Sequence, residues 1–380
     1  MLFSLSSLPS CLSLLLLTPP STAYIPLSNS FLHAIPPPTP SLNPQNSTLL
    51  SPLLHPGIPA QQHFASYFAT HLPEWTLSWQ NSTSQIRGAQ IPVANMIFKR
   101  EPPWVTKGQA NLLTLAAHYD STNVRVSGNA ACAVLMYVAA VLDGHVSRMY
   151  DEMAALGEGG EWAMDMGVQI VFMDGGYGAR YVIFSHFYLL PDSIQFSLLS
   201  SVLESREISV HMLIHSITCH RSLATHWSTT PNPPSHHFHT SPTPLHQISL
   251  LVHLDALGTP NPTVPSYFPT THWAYTRLAT LEFRMRGLEI LDSVPDVPFL
   301  ADGNGELGAS VSGRGGGGVF SRMGVDVLWV SGDRGEGGVL DEGTVGDWGR
   351  VLAGFGLEWL DMMEVWDEPG EGRRGRRRRR

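Results

Sequence analysis

Short apolar runs recur along this chain, each ended by a polar residue or a glycine, and the spacing leaves room for a helix between them. Asn111–Ala117 (NLLTLAA), Val168–Met173 (VQIVFM), Leu251–Asp255 (LVHLD) and Val325–Val330 (VDVLWV) are too short to be ordinary helices. Near-continuous runs of that length mark strands covered on both faces, as parallel strands in an α/β sheet are. Between and after them lie Ala130–Leu142 (AACAVLMYVAAVL), His272–Glu282 (HWAYTRLATLE) and Thr344–Met362, which have helical spacing. Upstream, residues 63–72 (HFASYFATHL) read as a helix, residues 75–83 (WTLSWQNST) as an alternating strand, and Val93–Lys99 as a further strand. The alternation predicts an α/β fold: a three-layer open mixed sheet with helices on both faces.

Composition agrees with one such domain plus tails. The chain has 380 residues, of which 43% are hydrophobic, enough for a sizeable core. Charged residues make up only 14%, and 29 Pro with 35 Gly imply much irregular chain. Net charge is −9 although the chain ends in GRRGRRRRR, so the rest is more acidic than the total shows, and nothing in it indicates nucleic-acid binding by the fold itself. Residues 366–380 read as a solvated basic tail.

The first 23 residues read as a secretory signal, with Leu14–Leu17 as the apolar run and Ser21-Thr22-Ala23 as the cleavage site. The run is too short to span a bilayer, so no transmembrane segment is expected. Asn46-Ser47-Thr48 and Asn81-Ser82-Thr83 are glycosylation acceptors, in keeping with an extracellular protein. Cys11 would leave with the signal, and nothing in the sequence pairs Cys132 with Cys219. Residues 24–58, rich in Pro and Ser, are expected to be extended or loosely docked. Residues 60–365 form the domain, and 181–247 read as a low-complexity insert, either disordered or translated non-coding sequence. Within the insert, His236, His237 and His239 reflect biased composition rather than a metal site. Gly313–Gly318 (GRGGGG) lacks the G-K-[ST] of a phosphate loop and reads as a connector.

Chemistry is expected where the strands end. Asp255 closes an apolar run and is followed by Gly258 and the Asn261-Pro262 turn. A carboxylate at the carboxyl end of a central strand sits where open α/β sheets keep their active sites, and a turn or capping role is the plainer alternative. His118-Tyr119-Asp120-Ser121 closes another strand in the same way.

Taken in order, NLLTLAAHYDST, AACAVLMYVAAVLD, VQIVFMDGG with YGAR, LLVHLDALGTPNPTVPSYFP, FSRMGVDVLWV and LDEGTVGDWGRVL resemble the glutaminyl-peptide cyclotransferase family. That family belongs to the zinc aminopeptidase-like (M28) superfamily. The resemblance implies a secreted, monomeric, zinc-dependent enzyme that cyclises amino-terminal Gln of peptides and proteins to pyroglutamate, releasing ammonia. It implies a zinc-binding Asp opening the helix of Cys132, adjacent Glu residues as general base and second ligand, and a His as third ligand. Here the corresponding segments read Ser127-Gly128-Asn129-Ala130, Asp174-Gly175-Gly176 and Ser331-Gly332-Asp333-Arg334-Gly335. The family's further acidic segment aligns with Gly315–Phe320, also without an acid. Asp255 is the catalytic residue that the resemblance carries over. His118 is a weaker metal-ligand candidate: two-metal relatives in the superfamily use a His at that place, whereas in the cyclotransferases the resemblance implies a mainly structural role for it. With the zinc triad and the base replaced, the chain is expected to bind zinc poorly and to be inactive. A non-catalytic secreted binding module and an M28 metallopeptidase are the alternatives.

Overall fold

The computed structural model describes residues 26–54, 59–86, 89–119, 127–155, 165–174, 219–234, 241–255, 257–293, 298–300, 317–332 and 340–360. Three short helices open the chain: α1 (Asn29–Ala34), α2 (Thr39–Leu42) and α3 (Ser51–Leu54). Then follow α4 (Ala60–His71), β1 (Thr76–Ile86), β2 (Ala89–Arg100), β3 (Asn111–His118), α5 (Ser127–Ala155) and β4 (Met166–Met173). A helical segment over 219–229 precedes β5 (Ile248–Asp255). The chain continues through α6 (His272–Gly287), α7 (Gly317–Arg322), β6 (Val327–Ser331) and α8 (Glu342–Trp359).

The strands form a single six-stranded sheet in the order β1-β2-β4-β3-β5-β6. β4, β3, β5 and β6 run parallel, while β2 pairs antiparallel with both β4 and β1. The expected open mixed α/β sheet is therefore what forms. From β3 the chain moves outward to β4, then returns across β3 to lay down β5 and β6. That reversal places a topological switch point between the carboxyl ends of β3 and β5, where such sheets hold ligands.

Side chains alternate along each strand, so each strand feeds two cores. On one face Leu115, Ala117, Phe172, Val252, Leu254 and Val330 pack under α5, α6 and α8. α5 is long and apolar enough to cross a bilayer, but 78% of its apolar window is buried inside the protein, which makes it the central core helix. The aromatic rings of α4 seal the adjoining end: Phe64 stacks on Phe172 at 4.0 Å and Phe68 on Phe98 at 3.8 Å. Burying each such ring contributes about 1.5–3 kcal/mol. On the other face Ala116, Val171, Met173 and Leu251 pack against Leu223, Ala224 and Trp227 of the helical segment and Val319 and Phe320 of α7.

The structure departs from the sequence expectations in three places. Residues 26–54 are not loosely docked: Leu27, Phe31, Leu32, Ile35, Leu42, Leu49 and Leu50 are all buried in the main core. Their apolar residues are dispersed among prolines, yet Phe31 meets His145 of α5, and Ile35 and Leu42 lie against Gly354 and Gly349 of α8. The stretch read as insert is folded at its carboxyl side, where Leu223 and Trp227 cover the second face of the sheet and Gln247 is fully buried. Third, α5 runs past Leu142 to Ala155, carried by Val146, Met149 and Tyr150 on the core side. The signal segment, His236, His237, His239 and the arginine tail lie outside the described residues.

Candidate functional site

β3 and β5 are neighbours in register, so their last residues, His118 and Asp255, arrive together at the carboxyl edge of the sheet. Asp255 is partly exposed there, and its backbone carbonyl accepts a hydrogen bond from Gly332 N at 3.3 Å. Its register partner on β6 is Ser331. The expected position of Asp255 on a central strand end is thus the observed one.

The two-residue period of β5 puts His253 on the same face as Asp255, one step deeper. There it meets His118 of β3 and His220 of the helical segment. Ring centroids are 4.9 Å apart for His118–His220, 5.5 Å for His118–His253 and 5.0 Å for His220–His253. His220 Nε2 and His253 Nε2 face each other at 3.3 Å. Candidate ligand atoms of all three residues lie within 4.8 Å of one another, the one such group among the described residues. His220 and His253 are buried, at 0% and 3% exposure, whereas His118 is partly exposed. Trp329 and Phe320 wall the cluster, the former 5.7 Å from His253 and the latter 6.1 Å from His220. Burial above all, then the His220 and His118 rings, holds the His253 pKa well below its ordinary value, so His253 is neutral at neutral pH.

Of these residues, the sequence pointed to His118 and Asp255 and missed two. His253 carries a readable signal: it is the polar residue inside LLVHLD, at the spacing that shares a face with Asp255. His220 carries none, because only the tertiary fold brings residues 219–229 over β3 and β5.

Among the described residues, Asn129 and Asp174 stand in segments that the resemblance associates with zinc. Asn129, in the first turn of α5, donates its amide to Leu53 O at 2.7 Å. An amide nitrogen so used has no lone pair to offer a metal, and its oxygen carries no charge. Asp174, at the end of β4, is turned to β2: its carboxylate accepts from Ala94 N and its backbone N–H donates to Asn95 Oδ1, both at 2.9 Å. Among the described residues, Asn129 and Asp174 therefore do not supply carboxylate ligands to the family's mixed carboxylate–histidine zinc set. A three-imidazole set does fit the coordination chemistry of zinc.

No family model matches the chain. Among curated proteins it is 27% identical to a glutaminyl-peptide cyclotransferase-like protein of Bos taurus over 339 residues, covering 83% of this chain and 75% of that one. It is also 27% identical to the glutaminyl-peptide cyclotransferase of the same species over 340 residues, covering 82% of this chain and 81% of that one. Among solved structures, the glutaminyl cyclase of Macrostomum lignano matches with a TM-score of 0.57 at 17% identity, covering 90% of this chain and 96% of that one. Homologous in sequence over most of its length and alike in fold, the chain is a relative of the glutaminyl-peptide cyclotransferases.

Proposed function

We propose that this chain is a secreted homologue of the cyclotransferases that does not cyclise glutamine and instead uses the retained scaffold to bind peptide amino termini. One observation carries the reading: Asp255 stands at the strand edge while Asn129 and Gly175-Gly176 replace the family's other acids. Cyclisation must take a proton from the α-amine, give one to departing ammonia, and polarise the side-chain amide carbonyl. Asp255 can exchange protons, but among the described residues neither Asn129 nor Asp174 offers a free carboxylate to hold a polarising cation where the resemblance expects one. What a partly exposed carboxylate does well is accept charge-assisted hydrogen bonds from an α-ammonium group. Secretion is supported by the acceptor asparagines Asn46 and Asn81, both of which have exposed side chains.

The test incubates the full-length chain with a peptide beginning in Gln, with and without added zinc, and follows ammonia release. The expected result is release at the buffer rate in both cases, with peptide binding weakened by Asp255→Asn. Zinc-dependent ammonia release that Asp255→Asn abolishes would overturn the proposal.

A further inference from the structure

We infer that His118, His220 and His253 form a binding site for a first-row divalent cation, best suited to zinc, with a ligand set unlike the carboxylate-containing one that the resemblance implies. The argument is geometric. Three imidazoles on one tetrahedral ion, with metal–nitrogen bonds of about 2.05 Å, hold their ligand atoms about 3.3 Å apart and their ring centroids about 5.2 Å apart. The observed centroid distances of 4.9, 5.0 and 5.5 Å bracket that value. The 3.3 Å between His220 Nε2 and His253 Nε2 matches the ligand-atom spacing. The widest ligand separation, within 4.8 Å, closes by a shift of about 1.5 Å if tetrahedral spacing is to be reached. His118 has room for that shift, being partly exposed at the end of its strand.

A hydrogen-bonded histidine pair would explain the approach of His220 and His253 but not the convergence of a third ring, His118, on both. It also leaves a cost, because His253 Nδ1 is buried with no hydrogen-bond partner among the described residues. Around the rings lie Leu223, Trp227, Leu251 and Phe320, of which only Trp227 carries a polar group, an indole N–H that donates and cannot bind a metal. Three imidazole nitrogen donors in a largely apolar wall suit zinc, and copper, nickel or cobalt on the same grounds. With ligands on β3, β5 and the helical segment, the cation would pin that segment to the sheet, so its binding would appear as stability. The inference is independent of the loss of cyclisation, since it invokes neither peptide nor turnover.

The test titrates the chelator-stripped full-length chain with Co²⁺, follows the visible absorption, and then competes with Zn²⁺. The expected result is one Co²⁺ per chain with the intense d–d bands of a four-coordinate ion, displaced by Zn²⁺. Zinc at 100 times its Kd should raise the Tm by about 5 °C. His220→Gln and His253→Gln should each weaken cobalt binding at least about 100-fold, while His226→Gln, on the exposed side of the same segment, should leave it unchanged. Where either buried variant loses its circular-dichroism signature, the partly exposed His118→Gln decides, with the same expected loss. Absence of four-coordinate cobalt bands, or cobalt binding that survives His118→Gln in the folded chain, would overturn the site.

Discussion

Glu282 is a charge placed where charge is expensive, and removing it tests how the carboxyl half of the domain is held. Its side chain is 1% exposed, yet it accepts hydrogen bonds from Phe299 N at 2.8 Å, Leu300 N at 2.9 Å and Arg286 Nε at 2.8 Å. Those contacts clamp the 298–300 segment, which pairs through Leu300 with Val264, to the side of α6. Glu282→Ala would orphan two buried backbone donors, at about 1–3 kcal/mol each. Arg286 would keep Asp347 at 3.6 Å and Ser293 O at 3.0 Å, so its charge is not stranded. The loss should therefore come to about 4 kcal/mol, a fall in Tm of about 10 °C. Glu282→Gln keeps one acceptor oxygen and turns an NH₂ towards the other donors, so about half that loss is expected. Urea denaturation of the two variants against wild type, with the m-value checked for constancy, gives both numbers. A loss below 1 kcal/mol for Glu282→Ala would refute the reasoning, because it would mean that water or a small backbone shift satisfies the freed donors.

Acid should act through His145. Burial first, and the Arg148 charge second, lower its pKa from 6.5 to about 4. The unfolded chain thus binds a proton that the folded chain refuses between those values, so this stability is fully present above pH 6.5 and is lost as pH falls towards 4. The effect should be about 2 kcal/mol after discounting for partial solvent access, read as a shallower pH dependence of the urea midpoint in His145→Gln. Phe172→Ala, which removes the ring stacked on Phe64, should cost about 3–5 kcal/mol by equilibrium denaturation. Gly258→Ala should cost about 1–3 kcal/mol by the same measurement. Gly258 has φ +109°, and an added Cβ would come within 2.7 Å of Leu340 Cδ2 and 2.8 Å of Val345 Cγ2.

The sheet was readable where covering on both faces leaves a continuous apolar run, as in β3, β4, β5 and β6. α5 was readable to Leu142 and not beyond, because Asp143, Gly144 and His145 interrupt an apolar face that resumes at Val146. The amino-terminal arm was misjudged because its buried leucines are set among prolines and form no period. They are held by packing on distant helices, which local pattern cannot report. In the site, Asp255 and His118 were visible as strand-end residues. His253 was overlooked although its spacing places it beside Asp255. His220 became a site residue only through the fold, since its helical segment has no sequence neighbour in the sheet.

The amino-terminal arm also sets an order of events. Leu27 N donates to Glu358 Oε1 across 331 residues, and Asn43 donates to Glu342 Oε1 across 299. Arg284 reaches back to Leu27 O as well. Contacts of such sequence separation form late, after loop closure has been achieved elsewhere. While the chain is being synthesised, Ile35 and Leu42, which lie against Gly354 and Gly349, therefore have no finished surface to cover until α8 has emerged. The first described segment to be made is among the last to be secured. Truncation at either end should expose the same apolar surface, and a ribosome-bound chain lacking α8 should present it to chaperones.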